Sequence, residues 1–244
     1  MSDPATDYTL AFIQSALTAG ARNILEIGCG QGALAARLMA EGFDVVAIDS
    51  DAACVAAARA RGVDARVATW PETIDRRFDA ILFTRSLHHI PDLDGSVAAA
   101  LECLTQGGRI VIEDFNAAYR DPPSEGWVRG IARALSAAGV AFDPGSWIAE
   151  QLQDQSSPGP DDHHHELHSA ARIEATCARL GSVLSAEPAA YFFRYFQAAS
   201  LRADAIAAAM LAHECDAIAK GWIAPLGRRL VVGRGAGVGA MPHA

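Results

Sequence analysis

Residues Ile24 to Ala36, I-L-E-I-G-C-G-Q-G-A-L-A-A, constrain what this chain can fold into more than any other stretch. Ile24, Leu25 and Ile27 make a short apolar run that ends at Gly28, Gly30 and Gly32, and an Ala/Leu-rich segment follows at once. The pattern predicts a buried strand, a tight turn and a helix N-terminus. Glycine at these positions accepts positive φ and lets a ligand approach backbone that carries no Cβ. The helix beginning there adds N–H groups and the positive end of its dipole. Such a turn binds a nucleotide, and its surroundings decide which.

Gly28, Gly30 and Ala33 satisfy the dinucleotide fingerprint, which allows alanine at its third position. Two carboxylates point elsewhere. Glu26, two residues before the first glycine, would repel a pyrophosphate but can hold a cationic or amine-bearing ligand. Asp49 ends a second apolar run, Val45 to Ile48, and a carboxylate there can take both hydroxyls of a ribose. The E-x-G-x-G-x-G turn followed by such an Asp resembles the class I S-adenosylmethionine-dependent methyltransferases, above all their small-molecule branch with its L-E-I-G-C-G-x-G turn. The resemblance implies that Glu26 and the turn amides of Gly28, Cys29, Gly30 and Gly32 address the methionine end of S-adenosylmethionine. Asp49, with Ser50 beside it, would address the ribose. Two rivals are a nicotinamide-dependent oxidoreductase and a non-catalytic S-adenosylmethionine-binding module.

The chain's 244 residues suffice for one α/β domain with a sizeable core and insertions. A formal charge of −9, with Lys220 as the one lysine, speaks against a nucleic-acid surface. The five cysteines are odd in number, scattered, and without C-x-x-C spacing. The N-terminal residues lack a secretion signal, and no apolar run approaches the roughly 20 residues of a membrane span. These features predict a cytoplasmic protein with a small-molecule partner, no nucleic acid and no membrane.

Taken in order, the periodicities predict a helix over 7–19, then strand 23–27, helix 32–41, strand 43–48, helix 51–61 and strand 63–67. Strand 78–83, helix 92–105 and strand 108–113 follow, with Gly107-Gly108 as the turn between the last two. This alternation predicts a doubly wound, mostly parallel Rossmann-like sheet, which the resemblance makes seven-stranded with an N-terminal helix. Ligands then bind beyond the strand carboxyl ends. There the glycine turn, Asp49, Thr69–Trp70, Arg85–His89 and Asp114–Asn116 should converge on one crevice. Residues 116–165 and 188–225 read as insertions forming a substrate lid, the first with a helix over 127–140 and a loop at 156–160. Helix 163–181, strand 182–187, a helix at about 200–220 and strand 229–232 complete the chain. Residues from Gly235 read as a flexible tail.

Several residues carry two readings. In the resembled family an acidic residue after the third strand grips the adenine amine; here Thr69 and Trp70 stand in its place. Trp70 either stacks on adenine or packs in the core. Arg85 either pairs with the cofactor carboxylate or is a surface arginine. His88 and His89 sit at the lip of the crevice, as general base or as loop structure; His89 is the first candidate base. In His163-His164-His165-Glu166-Leu167-His168, His164 and His168 share a helix face, a spacing that can chelate a metal. Substrate-facing histidines or a solvated helix start are the alternatives, and methyl transfer from a sulfonium needs no metal. Tyr191 to Phe196 either line a pocket or pack under the insertion.

Overall fold

The computed structural model describes residues 3–72, 74–115, 121–153, 168–199 and 203–235. Helix α1 (Pro4–Ala16) leads into β1 (Asn23–Ile27), α2 (Ala33–Ala40), β2 (Asp44–Asp49), α3 (Ala52–Ala60), β3 (Asp64–Val67) and β4 (Phe78–Thr84). A 3-10 turn at Leu87–His89 precedes α4 (Leu93–Glu102) and β5 (Leu104–Phe115). The remaining elements are α5 (Pro122–Ala137), α6 (Trp147–Leu152), α7 (Ala170–Leu180), β6 (Ser182–Ala189), α8 (Phe192–Ala199), α9 (Ala203–Ala219) and β7 (Gly227–Gly233). The seven strands form one sheet in the order β3-β2-β1-β4-β5-β7-β6, and the first five are mutually parallel. The predicted doubly wound, mostly parallel sheet is therefore present.

The continuous apolar runs of the central strands follow from burial on both faces. Leu25, Ile27, Ile81, Phe83, Ile110 and Ile112 face one core with Val97 and Leu101 of α4 and Ile173 and Cys177 of α7. Their alternate neighbours Ile24, Val45, Ala47, Ala80, Leu82 and Val111 face the other, with Ile13 of α1, Leu38 of α2 and Val55 of α3. Phe83 is wholly buried, so truncating it to alanine would cost roughly 3–5 kcal/mol.

The differences from the sequence expectations have local causes. Helix α1 begins at Pro4, a residue suited to a first helical turn, and stops at Ala16, short of the expected residue 19. Asp92 caps α4 by accepting from the Gly95 N–H at 2.9 Å, and the helix ends at Glu102 instead of residue 105. Strand β5 already pairs at Leu104, so Gly107-Gly108 is not a turn before it but a bulge within it, where the register shifts between Phe78 and Ala80. A Cβ at Gly108 would stand 3.0 Å from the Phe78 carbonyl. Helix α5 starts at Pro122, not residue 127, because Asp121 caps it and Pro122 sets its first turn. Pro188 lies inside β6, which runs on to Ala189; an edge strand tolerates proline. The described part of the expected helix 163–181 is α7, capped by Ser169. Asn116, the loop at 156–160, His163 to Leu167 and residues 236–244 of the expected tail lie outside the described residues.

Two compact units result. One comprises residues 8–114, 168–187 and 229–244, and carries the first five strands except for Phe115 at the end of β5. The other gathers residues 1–7, 115–167 and 188–228. In the second unit the aromatic run after Tyr191 opens a helix, α8, with Phe192, Phe193 and Phe196 buried. Its N-terminal amides have an unusual cap. Glu214 of α9, fully buried, accepts from the N–H groups of Tyr191, Phe192 and Phe193 at 2.6, 3.0 and 2.9 Å. Helix α6, also unforeseen, brings Trp147 to within 4.9 Å of Tyr195 between ring centroids.

Candidate functional site

The chain winds outward from β1 through β2 and β3, then returns to the other side of β1 for β4 and β5. At that reversal the loops after neighbouring strands part, which is where such sheets take ligands. A cavity of about 430 Å³ opens there, bordered by Gly28, Gly30, Asp49, Ser50, Thr69, Trp70, Arg85 and His89. All eight are residues predicted for the site. Ser86, Ile90 and Pro91 also border it and were not singled out. Glu26, Cys29, Gly32 and His88, also predicted, are not among the residues that border it.

The three glycines serve three different ends. Gly28, at φ +74°, presses against the exit of β4; a Cβ there would stand 2.4 Å from that of Ser86, whose hydroxyl donates to the Ile27 carbonyl at 2.6 Å. Gly32 starts α2 at φ +75° and packs on α3, its would-be Cβ 2.7 Å from that of Ala58. Gly30, at φ +51°, has nothing within 4 Å of that position and is the one that leaves room.

The amides of the turn already have partners within the protein. The N–H groups of Gly28 and Cys29 donate to the Ile48 carbonyl, that of Gly30 to Asp49 Oδ2 at 2.8 Å, and that of Gly32 to the Cys29 carbonyl. These four amides are satisfied inside the protein, so any contact they make with a ligand would be shared with or taken from those partners. The Cys29 side chain turns into the core, where burial first and the Glu26 and Asp49 charges next push its thiol up to about 12. Asp49 also accepts from the Asp51 N–H at 2.9 Å through Oδ1. Each of its oxygens keeps a second lone pair.

Glu26 sits in the middle of the sheet, 1% exposed, with Oε1 at a long 3.5 Å from the Thr84 hydroxyl and no hydrogen-bond partner for Oε2. Burial pushes its carboxyl up to about 8, against the pull of the nearby Arg85 guanidinium, the Thr84 hydroxyl and the Ala35 backbone N–H. Ionising a buried carboxyl that has one oxygen unpaired is costly, and a cationic group arriving beside it would offset that cost.

Arg85 follows β4 and is the one residue other than glycine at positive φ, +62°, among the described residues. A long side chain there costs of order 1–3 kcal/mol. Its N–H donates to the Glu113 carbonyl at 2.7 Å, and its Nη1 lies 3.1 Å from Glu113 Oε1. It is thus neither an idle surface arginine nor buried. Of the readings open for Trp70, core packing is what the geometry describes: the indole is 4% exposed, donates from Nε1 to the Ser96 carbonyl at 3.2 Å, and meets Phe83 edge-on.

The histidines divide. His88 is buried, with Nδ1 2.5 Å from Asp114 Oδ1 and its N–H 3.3 Å from Asp114 Oδ2. His89 is exposed at the cavity, its ring resting on that of His88 at 3.9 Å. His168 donates its N–H to the His88 carbonyl, and its Nε2 lies 3.0 Å from the Ile90 carbonyl. It is the one described member of the histidine-rich stretch. Among the described residues no cluster of His, Cys, Asp and Glu could hold a metal, and no helix is long and apolar enough to cross a membrane.

A family model described as a methyltransferase domain matches residues 6–203, well over half of the chain. The chain belongs to the methyltransferase domain family. Among curated methyltransferases, a ubiquinone biosynthesis O-methyltransferase of Alkalilimnicola ehrlichii is 32% identical over 112 residues, covering 42% of this chain and 44% of that one. An uncharacterized methyltransferase of Mycobacterium bovis is 30% identical over 112 residues, covering 43% of this chain and 56% of its own. This methyltransferase-family chain thus spans about half the length of the curated relatives it matches. A crystal structure of an S-adenosylmethionine-dependent methyltransferase from Mesorhizobium loti shares its fold, with a TM-score of 0.56 at 16% identity over 91% of this chain and 95% of the other.

Proposed function

We propose that the protein is an S-adenosylmethionine-dependent methyltransferase acting on a small metabolite at oxygen or nitrogen, with carbon a less favoured target. The observation that carries this reading is the buried, half-paired Glu26 carboxylate beside the Arg85 guanidinium, under a glycine turn with open space at Gly30. An amino-acid end brings an ammonium and a carboxylate together, and this pair of charges complements both. The donor set fits the cofactor. Glu26 Oε2 would take the ammonium, Arg85 the carboxylate, and the remaining lone pairs of Asp49 the ribose hydroxyls. Ser50 and Thr69 border the cavity on the adenosine side, with Trp70 as its apolar floor. A dinucleotide, by contrast, would bring its pyrophosphate to satisfied amides and two carboxylates.

When bound, the sulfonium supplies the electrophilic methyl group. The chain's residues must hold the acceptor in line, keep water out and take up a proton. His89, exposed at the cavity, is the side chain placed to accept that proton; His88, tied to Asp114, backs its ring. Acceptor recognition is assigned to residues 116–165 and 188–225, the expected lid, whose described parts are rich in aromatic side chains and carry no basic run. Cytoplasmic residence belongs to the same reading, in keeping with scattered cysteines.

Binding of S-adenosylhomocysteine and of NAD, followed by transfer of labelled methyl groups across a broad acceptor panel, tests the proposal. Saturable S-adenosylhomocysteine binding with turnover is expected. NAD binding in its place would make the chain an oxidoreductase. Tight binding without transfer to any acceptor would make it a binding module.

A further inference from the structure

We infer that Glu113 and Arg229 are positioning residues for cofactor capture, acting through Arg85; the inference rests on the reading above. Glu113 lies on β5 and is 3% exposed. Its Oε2 accepts from Arg229 Nε at 2.9 Å and Nη2 at 2.6 Å. Its Oε1 accepts from the Thr9 hydroxyl at 2.6 Å and from Arg85 Nη1 at 3.1 Å. The backbone carbonyl of the same residue accepts from the Arg85 N–H. One residue therefore grips Arg85 by both main chain and side chain, at the position where its backbone takes the left-handed conformation.

A purely structural pair would not require this. Arg229 already neutralises Glu113, donates from Nη2 to the Tyr8 carbonyl at 2.9 Å, and lies over the Tyr8 and Phe12 rings at 3.8 and 4.6 Å. The charge of Arg85 is then the one left over, on a side chain about one-third exposed at the cavity. Within electrostatic reach of it stands Glu26, the group whose charge Arg85 favours. Left untethered, the Arg85 guanidinium would close onto the buried Glu26 carboxyl, drawing it into ionisation and filling the site. Glu113, itself fixed by Arg229, holds the guanidinium back. The guanidinium and the Glu26 carboxyl are thereby kept apart, in the arrangement that a zwitterionic amino-acid end requires and a bare nucleoside does not.

Calorimetric titration with two probes tests this. S-adenosylhomocysteine carries the amino-acid end; 5′-methylthioadenosine has the nucleoside and sulfur without it. Glu113→Gln should weaken S-adenosylhomocysteine roughly 10-fold or more and leave 5′-methylthioadenosine within about 2-fold. In an Arg85→Gln background the same substitution should cause no further loss, since both changes remove one device. Should Glu113→Gln not fold, Arg229→Lys, which keeps the charge but not the two-donor grip, carries the same expectation. Equal weakening of both probes, or losses that add in the double variant, would overturn the inference in favour of a structural role. Unchanged S-adenosylhomocysteine affinity in Glu113→Gln, with binding still lost in Asp49→Ala, would sink the positioning role alone. No S-adenosylhomocysteine binding by the unaltered protein would instead remove the functional reading on which it rests.

Discussion

Glu26→Gln should make the free protein more stable and the ligand-binding protein worse, and the two effects have one origin. The Glu26 carboxyl rises from an ordinary value near 4.5 to about 8 in the folded chain. Between those values the folded state binds a proton that the unfolded state has released. Stability from this group is fully present below about pH 4.5, falls by about 1.4 kcal/mol per pH unit above it, and stops falling past about pH 8. At pH 7 the accumulated cost is about 3 kcal/mol. Glutamine carries no titration, so the variant should gain 1–3 kcal/mol at pH 7, after roughly 1 kcal/mol lost to its own unpaired amide, and gain nothing near pH 4.5. Binding turns the sign around. An ammonium beside Oε2 favours the ionised carboxylate, so at pH 7 the protein should release close to one proton per S-adenosylhomocysteine bound. Calorimetry in phosphate and in Tris, whose ionisation enthalpies differ, reads that proton directly. The variant should show no buffer dependence and an affinity lower by about 10- to 150-fold, the equivalent of 1.5–3 kcal/mol for a charge-assisted hydrogen bond. Equal proton release in both proteins, or an unchanged affinity, would refute the reasoning.

Gly30→Val should abolish S-adenosylhomocysteine binding in calorimetry, because it forces a β-branched residue to φ +51° and fills the one open position of the turn. His89→Ala should lower kcat by roughly 10²–10⁴-fold with cofactor affinity nearly intact; an equal fall in affinity would place His89 in cofactor binding, and full activity would end its role as base. Glu214→Gln should lower the melting temperature by several degrees, about 2–4 kcal/mol, since an amide cannot accept all three N–H groups that the carboxylate does. Turnover should survive exhaustive EDTA treatment; loss restored by a divalent ion would make ligands of the histidines at 163–168.

The parts of the site that were legible in the sequence are those fixed by local chemistry. A run of apolar residues ending in spaced glycines has few structures open to it, and Asp49 at the end of the next run could be placed by counting. The use of each glycine was not legible, because Gly28 and Gly32 answer to Ser86 and Ala58, which only the fold brings near. The same holds for Trp70, whose indole N–H finds the Ser96 carbonyl 26 residues away. Helix α8 escaped notice because its first five residues are bulky, four of them aromatic, and carry no N-cap of their own; the cap is Glu214, from the following helix. Glu113 and Arg229 left a signal that went unused. A glutamate after Ile110-Val111-Ile112, and an arginine opening the last strand, are charges in strands read as buried, and such charges need each other.

The central claim is that one cavity holds S-adenosylmethionine, with Asp49 at the ribose and Glu26 at the ammonium. A crystal structure of the protein with S-adenosylhomocysteine measures it most directly. The account predicts both ribose hydroxyls within hydrogen-bond distance of the Asp49 carboxylate, the ammonium on Glu26 Oε2 and the carboxylate on the Arg85 guanidinium. A ligand bound elsewhere, or bound in this cavity with its amino-acid end turned away from Glu26 and Arg85, would contradict it.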